Sequence, residues 1–231
     1  MTQVSQALML QTWLSPSYPV GGYAYSHALE NRVESGAVSD AASLESWVAD
    51  MLHFGAGRQD AMLIAECFRC FAPAHAQDRD EQLLDLAKLG TALCTTAELR
   101  QESLQQGAAF LNVTCAAWPT PQLSAFAGSA ANATAFPVCF GVAAASHGVA
   151  VGIAVEAWLL ALATNWISAA VRLNVTGQTG GQRIAAAIAR DIPALASRAI
   201  NSRFEELGTC VFANEIASLK HAIQPARLFR S

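Results

Sequence analysis

The chain has 231 residues, a formal net charge of −4 and 14% charged residues, against about 25% in an ordinary soluble domain. This length predicts one domain or two small ones, and it is enough to bury a core without disulfides. A pI near 5.7 without any Lys/Arg run argues against a nucleic-acid partner, which would be bound by neutralising its phosphates. The first ten residues lack the basic start and cleavage pattern of a signal peptide, so we expect a cytoplasmic protein.

Hydrophobic periodicity predicts helices and almost no strands. Ser39 or Asp40 is the expected N-cap of a helix whose apolar stripe is Leu44, Trp47, Val48, Met51 and Leu52. The same spacing from Phe204 to Leu219 predicts a long amphipathic helix, with Pro193 in the first turn of the helix before it or in a break. Further helices are expected at about 4–14, 25–35, 58–72, 80–98, 100–112, 138–150, 153–172 and 182–190. They predict one all-α domain of about ten helices over residues 1–231, with residues 138–172 at its centre.

Charge is nearly absent from residues 103–182, which hold only Glu156 and Arg172. Residues 136–163 are long and apolar enough to suggest a membrane span, but His147 and Glu156 interrupt a composition that is only mildly hydrophobic. We therefore expect buried helices, no membrane contact, and an apolar surface covered by a second subunit or a partner. Arg172 should pair with a carboxylate such as Glu156 or lie at an interface.

No local motif predicts catalysis. The glycine-rich segment 177–183 lacks the Lys and Ser/Thr of a P-loop and the spacing of a dinucleotide fingerprint, so we interpret it as a connection between helices. Cys67 and Cys70 form an isolated C-x-x-C pair on a helical pattern, where small buried side chains are the simpler role. Ser26 and His27 are neighbours on a predicted helix and point about 100° apart, so they make no catalytic pair.

The five histidines have no spacing that places two of them on one helix face, so no metal site and no cofactor is predicted locally. His147 lies in an apolar run and is expected to be a satisfied core or interface histidine. His27 and His221 lie in polar segments that we expect to be exposed. A site built from one histidine of each of two subunits stays open as an alternative.

Five blocks of sequence resemble a known family. They are LSPSYPVGGYAYSHALE at 14–30, AELRQES at 97–103 with Gly107, FPVCFG at 136–141, AVRL at 170–173 with GQ at 177–178, and RLFRS at 227–231. In this order they resemble the urease accessory protein family UreF over nearly the whole chain. The resemblance implies an all-helical, typically dimeric protein without catalytic activity. Such a protein bridges the accessory protein UreD, called UreH in some organisms, and the GTPase UreG while nickel is loaded into apo-urease.

The resemblance also implies which residues meet partners. The matching motif positions are expected to form a contact surface that contains Tyr23, Tyr25, Ser26, Glu30, Glu98, Glu102, Arg172, Gln178, His221, Arg227, Leu228, Phe229 and Arg230. The proline and glycine loop before Tyr25 should make a tight corner that leads into the next helix. A plain helix–loop–helix corner with exposed Tyr and Glu is the alternative.

Three positions depart from the family pattern. Ala28 stands where Gly is usual, Ala222 stands where a Glu usually follows the C-terminal His, and residues 175–177 replace a Leu-Gly pair. Ala28 is expected to be harmless, because Ala suits a helix better than Gly. Ala222 puts the polar contacts of His221 in doubt.

Residues 222–231 are predicted to form a mobile segment, which we name the C-terminal tail. A proline stops the preceding helix, and Leu228 and Phe229 offer too little apolar surface to dock on their own domain. The tail should then order on a UreD-like partner, with Arg227 and Arg230 pairing with its carboxylates. The alternative is a tail that packs back on its own helices.

A second function stays open beside the bridging role. A helical protein of this kind could bind or relay nickel directly through His and Cys side chains. The lack of ligand spacing along the chain favours the bridging role.

Overall fold

The computed structural model describes residues 4–130, 134–209 and 211–231, and these ranges contain helices and connections without a β-strand. The all-α fold class is therefore confirmed. Short 3-10 turns lie at Gly22–Ala24, Pro73–His75 and Phe204–Glu206. The α-helices, in chain order, are α1 Gln6–Trp13, α2 Leu29–Glu34, α3 Ala41–His53, α4 Ala56–Cys70, α5 Arg79–Ala92, α6 Ala97–Ala117, α7 Pro121–Ala130, α8 Phe136–Ser146, α9 Val151–Arg172, α10 Gln178–Ile188, α11 Ile192–Asn201 and α12 Phe212–His221.

Helix α8 lies at the centre of the fold, packed between α4 and α6. Two glycines of the family-like blocks allow this close approach. A Cβ atom on Gly141 would lie 2.8 Å from Sγ of Cys67 in α4, and one on Gly107 of α6 would lie 2.4 Å from the main-chain oxygen of Thr134. Because real Cβ contacts are longer, only glycine fits at these two crossings.

Helix α9 runs beside α8 and packs against α3, α4, α10 and α11. Among the described residues it is the one helix long and apolar enough to cross a membrane, judged by length and composition alone. Trp158 and Trp166 are buried on its inner side, as in the core helix of a helical fold. Residues 136–163 do not form one helix, because Gly148, with a φ of 69°, turns the chain between α8 and α9.

The predicted start of α3 is confirmed. Asp40 is the N-cap, and its carboxylate accepts a hydrogen bond from the main-chain N of Ser43 at 2.8 Å. All five residues of the predicted stripe are buried. Pro193 lies in the first turn of α11, also as predicted.

Four predicted helices are wrong in their bounds, and α7 lies where no helix was predicted. The helix predicted at about 80–98 ends at Ala92, and the helix predicted at about 100–112 runs from Ala97 to Ala117. In place of the long helix from Phe204 to Leu219, a 3-10 turn spans Phe204–Glu206, residues 207–209 and 211 lie outside any helix, and α12 begins only at Phe212. The helix predicted from residue 25 begins at Leu29, because His27 and Ala28 have φ angles of 56° and 67°. A right-handed helix cannot contain such residues, so Ser26 and His27 do not lie on a helix.

Candidate functional site

The C-terminal tail is docked on its own domain, so the prediction that its apolar surface is too small to dock there is wrong. Phe229 is 4% exposed and is the one buried apolar side chain of the tail. The guanidinium carbon of Arg172 lies over its ring, 4.4 Å from the centroid. A cation above an aromatic face adds attraction to the burial of the ring.

Main-chain hydrogen bonds join the end of the tail to the segment before α2. The main-chain N of Arg230 donates to the oxygen of Ala24 at 2.8 Å, and that of Ser26 donates to the main-chain oxygen of Ser231 at 3.0 Å. The Ser26 hydroxyl donates to the same oxygen at 2.5 Å. Since every residue carries these backbone groups, composition gave no sign that they would hold the tail.

The carboxylate of Glu30, itself 7% exposed, holds the tail from the other side. Its Oε1 accepts a hydrogen bond from the main-chain N of Leu228 at 2.6 Å. Its Oε2 accepts one from the main-chain N of Phe229 at 2.9 Å and lies 3.1 Å from Nε2 of His221. A buried carboxylate needs several donors to remain charged, and the tail supplies two of the three.

His221 is fully buried between two carboxylates, so the expectation of an exposed histidine is wrong. Its Nδ1 lies 2.8 Å from Oε2 of Glu98, and its Nε2 faces Glu30. Each ring nitrogen thus faces a carboxylate oxygen from a different helix, so the ring joins α2 to α6. Arg227 donates to the other oxygen of Glu98 at 2.8 Å. Ala222 therefore leaves the contacts of His221 intact, because α2 and α6 supply the acids.

A cavity of about 280 Å³ lies beside this network. Oε2 of Glu102 lies 3.5 Å from Nδ1 of His27 and accepts the hydroxyl of Ser231 at 2.5 Å. On the opposite wall, Nε1 of Trp158 donates to the carboxylate of Asp60 at 3.2 Å. Polar and aromatic lining residues include His27, Gln59, Asp60, Glu102, Gln106, Trp158, Asn165, Trp166 and Asn214.

The cavity shifts the pKa values of Asp60 and His27. Burial raises the pKa of Asp60 to about 7, against the smaller opposing effect of His27. Burial alone would lower the pKa of His27, but the carboxylates of Glu102 and Asp60 outweigh it and leave that pKa above its ordinary value. Two acids around one histidine make the cavity favourable for a proton or another positive charge.

Helix α12 turns its polar face inward. Oδ1 of Asn214 accepts a hydrogen bond from Nε1 of Trp47 at 3.2 Å, and the hydroxyl of Ser218 lies 2.7 Å from that of Thr96. The outward face carries exposed apolar side chains spaced by four, three and four residues, which places them along one side of the helix. They are Phe212, Ile216, Leu219 and Ile223, and we call them the α12 face.

The exposed side of α9 is also poor in charge. It consists of residues three or four positions apart, which we call the α9 face: Ile153, Glu156, Leu160, Thr164, Ser168 and Arg172. The predicted pairing of Arg172 with Glu156 is wrong, because 16 residues of helix separate them by roughly 24 Å. Arg172 donates instead to the main-chain oxygen of Tyr23, whose own side chain is 72% exposed.

The structure divides the predicted partner-binding residues into two groups. Tyr23, Gln178, Leu228, Arg172, Arg227 and Arg230 are exposed, and Glu98 is partly buried. Gln178 stands apart at the first position of α10, without a hydrogen bond to the tail. Tyr25, Ser26, Glu30, Glu102, His221 and Phe229 are buried. The interpretation of this second group as an exposed contact surface is therefore wrong. Most of its members hold the tail or belong to it, Glu102 also lines the cavity, and the hydroxyl of Tyr25 donates to Oε1 of Gln105.

Sequence reasoning missed two residues of this site. Ser231 lies in the last family-like block and could have been included with its neighbours. Asp60 is a single acid on the helical pattern of α4, and nothing in its local sequence distinguishes it from a surface carboxylate. Only the packing of α4 against α9 makes it a buried cavity residue.

Within residues 4–130, 134–209 and 211–231, no three His, Cys, Asp or Glu side chains are grouped so that they could hold a metal ion. Cys67 and Cys70 are buried in α4, as predicted for small core side chains. His147 lies at the end of α8, where its Nδ1 is 2.7 Å from the oxygen of Ala143 and its ring packs edge-on against Trp13.

Comparison with known proteins agrees with the motifs at both ends of the chain. Residues 38–189 match the family model described as UreF. The chain is 43% identical over 230 residues to the urease accessory protein UreF of Rhodopseudomonas palustris (strain TIE-1), covering 99% of this chain and 94% of that protein. It is 43% identical over 224 residues to the UreF protein of Xanthobacter autotrophicus (strain ATCC BAA-1158 / Py2), covering 97% and 90%. The chain therefore belongs to the UreF family of urease accessory proteins.

Proposed function

We propose that this protein is a non-catalytic, cytoplasmic accessory protein that bridges a UreD-type protein and the GTPase UreG and so helps load nickel into apo-urease. The names of its relatives support an accessory role. The observation that carries the proposal is the α12 face, where four large apolar side chains point away from the core. Such a face is stabilised when another protein covers it. Free thiols such as Cys94 and Cys115 suit a reducing compartment.

The α12 face is assigned to the UreD-type protein. Leu228 of the tail adds a further exposed apolar side chain beyond the end of α12. Lys220 and Arg230 are exposed on the same terminal part of the chain. The expected partner surface is therefore apolar at its centre and acidic at its rim.

The α9 face is assigned to a second copy of the chain. A twofold interface pairs each patch with itself, so its residues must be complementary to one another. If two α9 helices cross antiparallel at Thr164, Glu156 of each copy lies opposite Arg172 of the other, because both are eight positions from the centre. Ile153 and Leu160 supply the apolar contacts. Gln6 bonds to Gly148 and Ala150 and thereby places α1 beside the start of this face.

The GTPase is assigned to the end of this face. Tyr23 is exposed next to Arg172, and Gln178 follows at the start of α10. Tyrosine is among the side chains that contribute most often to interface energy, and Tyr23 and Gln178 lie outside the proposed antiparallel contact that engages Arg172. A GTPase bound there would be separated from a UreD-type protein on the α12 face, as a bridging role requires.

The experiment is a crossed pair of variants, each co-purified with the UreD-type and UreG proteins. Ile216→Glu with Leu219→Glu should lose the UreD-type protein but remain a dimer in light scattering. Leu160→Glu should become a monomer of 24.3 kDa. Ala186→Glu, an exposed position on α10, is the matched charge control and should change neither property. Retention of the UreD-type protein by the α12 variant would contradict the assignment of that face.

A further inference from the structure

One carboxylate connects the cavity with the C-terminal tail. Oε2 of Glu102 accepts the hydroxyl of Ser231 at 2.5 Å and also lies 3.5 Å from Nδ1 of His27, which lines the cavity. Glu102 is 8% exposed, so bulk water is not available to replace either neighbour. The same oxygen atom therefore serves the tail on one side and the cavity on the other.

The turn before α2 keeps these two sides separate. Ser26 faces the tail, since both its main-chain N and its hydroxyl donate to Ser231. The next residue, His27, faces the cavity and packs against the ring of Trp166 at 5.5 Å. His27 and Ala28 both have left-handed φ angles, which are uncommon outside glycine. This strained turn directs two neighbouring side chains into different environments.

We infer that tail docking and positive charge in the cavity compete for Glu102, so that each weakens the other. While Ser231 donates to Oε2, that bond neutralises part of the carboxylate charge, and less attraction remains for an imidazolium or another cation in the cavity. When the tail undocks, Oε2 is left to the cavity alone. By thermodynamic linkage, a proton or cation bound in the cavity weakens docking by the same factor.

The charges around Glu102 make its attraction for His27 sensitive to the loss of the hydrogen bond from Ser231. The two arginines near Glu102 are already engaged, Arg227 with Glu98 and Arg172 with the ring of Phe229, so neither is bonded to the oxygen that the tail would release. The titratable and charged groups that face the junction of tail and cavity, by element, are Glu30 in α2, Asp60 in α4, Cys94 before α6, Glu98 in α6, Arg172 in α9, His221 in α12 and Arg227 in the tail.

The first experiment titrates His27 by NMR in the full chain. Ser231→Ala should raise the proton affinity of His27 about threefold. The free energy of a hydrogen bond to a charged group is at least as large as the free energy of a threefold change in affinity. Ser231→Thr keeps the hydroxyl and should restore the wild-type midpoint. Arg230→Ala is the matched tail control, since its main-chain bond to Ala24 remains, and it should leave the midpoint unchanged. An identical midpoint in the wild type and Ser231→Ala overturns the inference.

The second experiment measures the reverse effect by amide hydrogen exchange. His27→Asn removes the imidazole but retains a residue that tolerates a left-handed φ. The amides of Leu228 and Phe229 should exchange about threefold more slowly in this variant than in the wild type at pH 6, and the difference should be smaller at pH 8.5, because wild-type His27 loses its proton as the pH rises. Equal rates at both pH values overturn the inference. Should this variant fail to fold by circular dichroism, the His27 titration decides alone.

Discussion

Helices α3 and α12 have the same kind of amphipathic pattern. The apolar side of α3 points towards the core, whereas that of α12 points towards solvent. The apolar stripe of α3 is buried from Leu44 to Leu52. In α12 the apolar residues are exposed, and Asn214, Ser218 and His221 face inward. Periodicity therefore identifies the two faces of a helix, but the neighbouring elements decide which face is packed against the rest of the protein.

The difference follows from what each helix packs on. Helix α3 packs on α4, α9 and α10, whose inner side chains are apolar. Helix α12 packs on α2 and on the start of α6, where Glu30, Glu98 and Thr96 need hydrogen-bond partners. Because an unpaired buried polar group is costly, a polar face is the better cover there. The apolar face of α12 is consequently left for another protein.

The largest expected destabilisation tests the α3 side of the comparison. Leu44→Ala should lower the free energy of unfolding by about 3 kcal/mol, since it removes a fully buried side chain and leaves a cavity. Urea unfolding followed by circular dichroism measures the change. Glu45→Ala, the exposed neighbour on the same helix, is the control and should change stability by less than about 0.5 kcal/mol. A similar loss in both variants would contradict the prediction.

The next effect tests the polar face of α12. His221→Ala leaves Glu30 and Glu98 without their shared donor in a buried place, and it should cost about 2–3 kcal/mol of unfolding free energy. The tail should stay docked, because the main-chain N–H groups of Leu228 and Phe229 are then the two donors left to Glu30 of the three that it had. Chemical denaturation gives the first quantity, and limited proteolysis of the tail gives the second. A change below about 0.5 kcal/mol would mean that the polar face does not anchor α12.

The helical class and much of the core could be predicted because both depend on local pattern. The stripe and N-cap of α3 are contiguous in sequence, and the buried helices α8 and α9 lie in the charge-poor region. Glycines 107 and 141 belong to recognisable blocks, although only packing explains them. Features that depend on neighbouring residues in the chain could thus be predicted from the sequence.

The polar site could not be predicted, because it joins residues far apart in the chain. The bonds of Glu30 to the tail span almost 200 positions, and both of them come from main-chain N–H groups, which have no sequence signature. Ala28 illustrates the same limit. It was interpreted as a helix residue better than Gly, yet it precedes α2 with a φ of 67°, where the lack of a Cβ would be an advantage.

A pH-dependent effect concerns the cavity that lies under both helices and is lined by Met51 of α3 and Asn214 of α12. The pKa of Asp60 is raised from 3.8 to about 7, so the folded state binds more protons than the unfolded chain between these values and stability falls as pH rises. Asp60→Asn removes this dependence and should be more stable than the wild type at pH 8 by about 4 kcal/mol. The difference should vanish near pH 4. Urea unfolding at pH 8 and pH 4 measures the difference in stability between the variant and the wild type. A difference that is the same at both pH values would contradict the raised pKa of Asp60.

The smallest expected effect on stability is at the α12 face. Leu219→Ala removes the same atoms as Leu44→Ala, but from a side chain that is 61% exposed, so the free energy of unfolding should change by less than about 0.5 kcal/mol. Binding of the UreD-type protein should nevertheless weaken about tenfold or more, because the truncated side chain is then in the buried centre of an interface. Urea unfolding and titration calorimetry measure the two quantities on one preparation. A clear loss of stability with unchanged binding would mean that Leu219 already serves its own fold, and the contrast between α3 and α12 would then disappear.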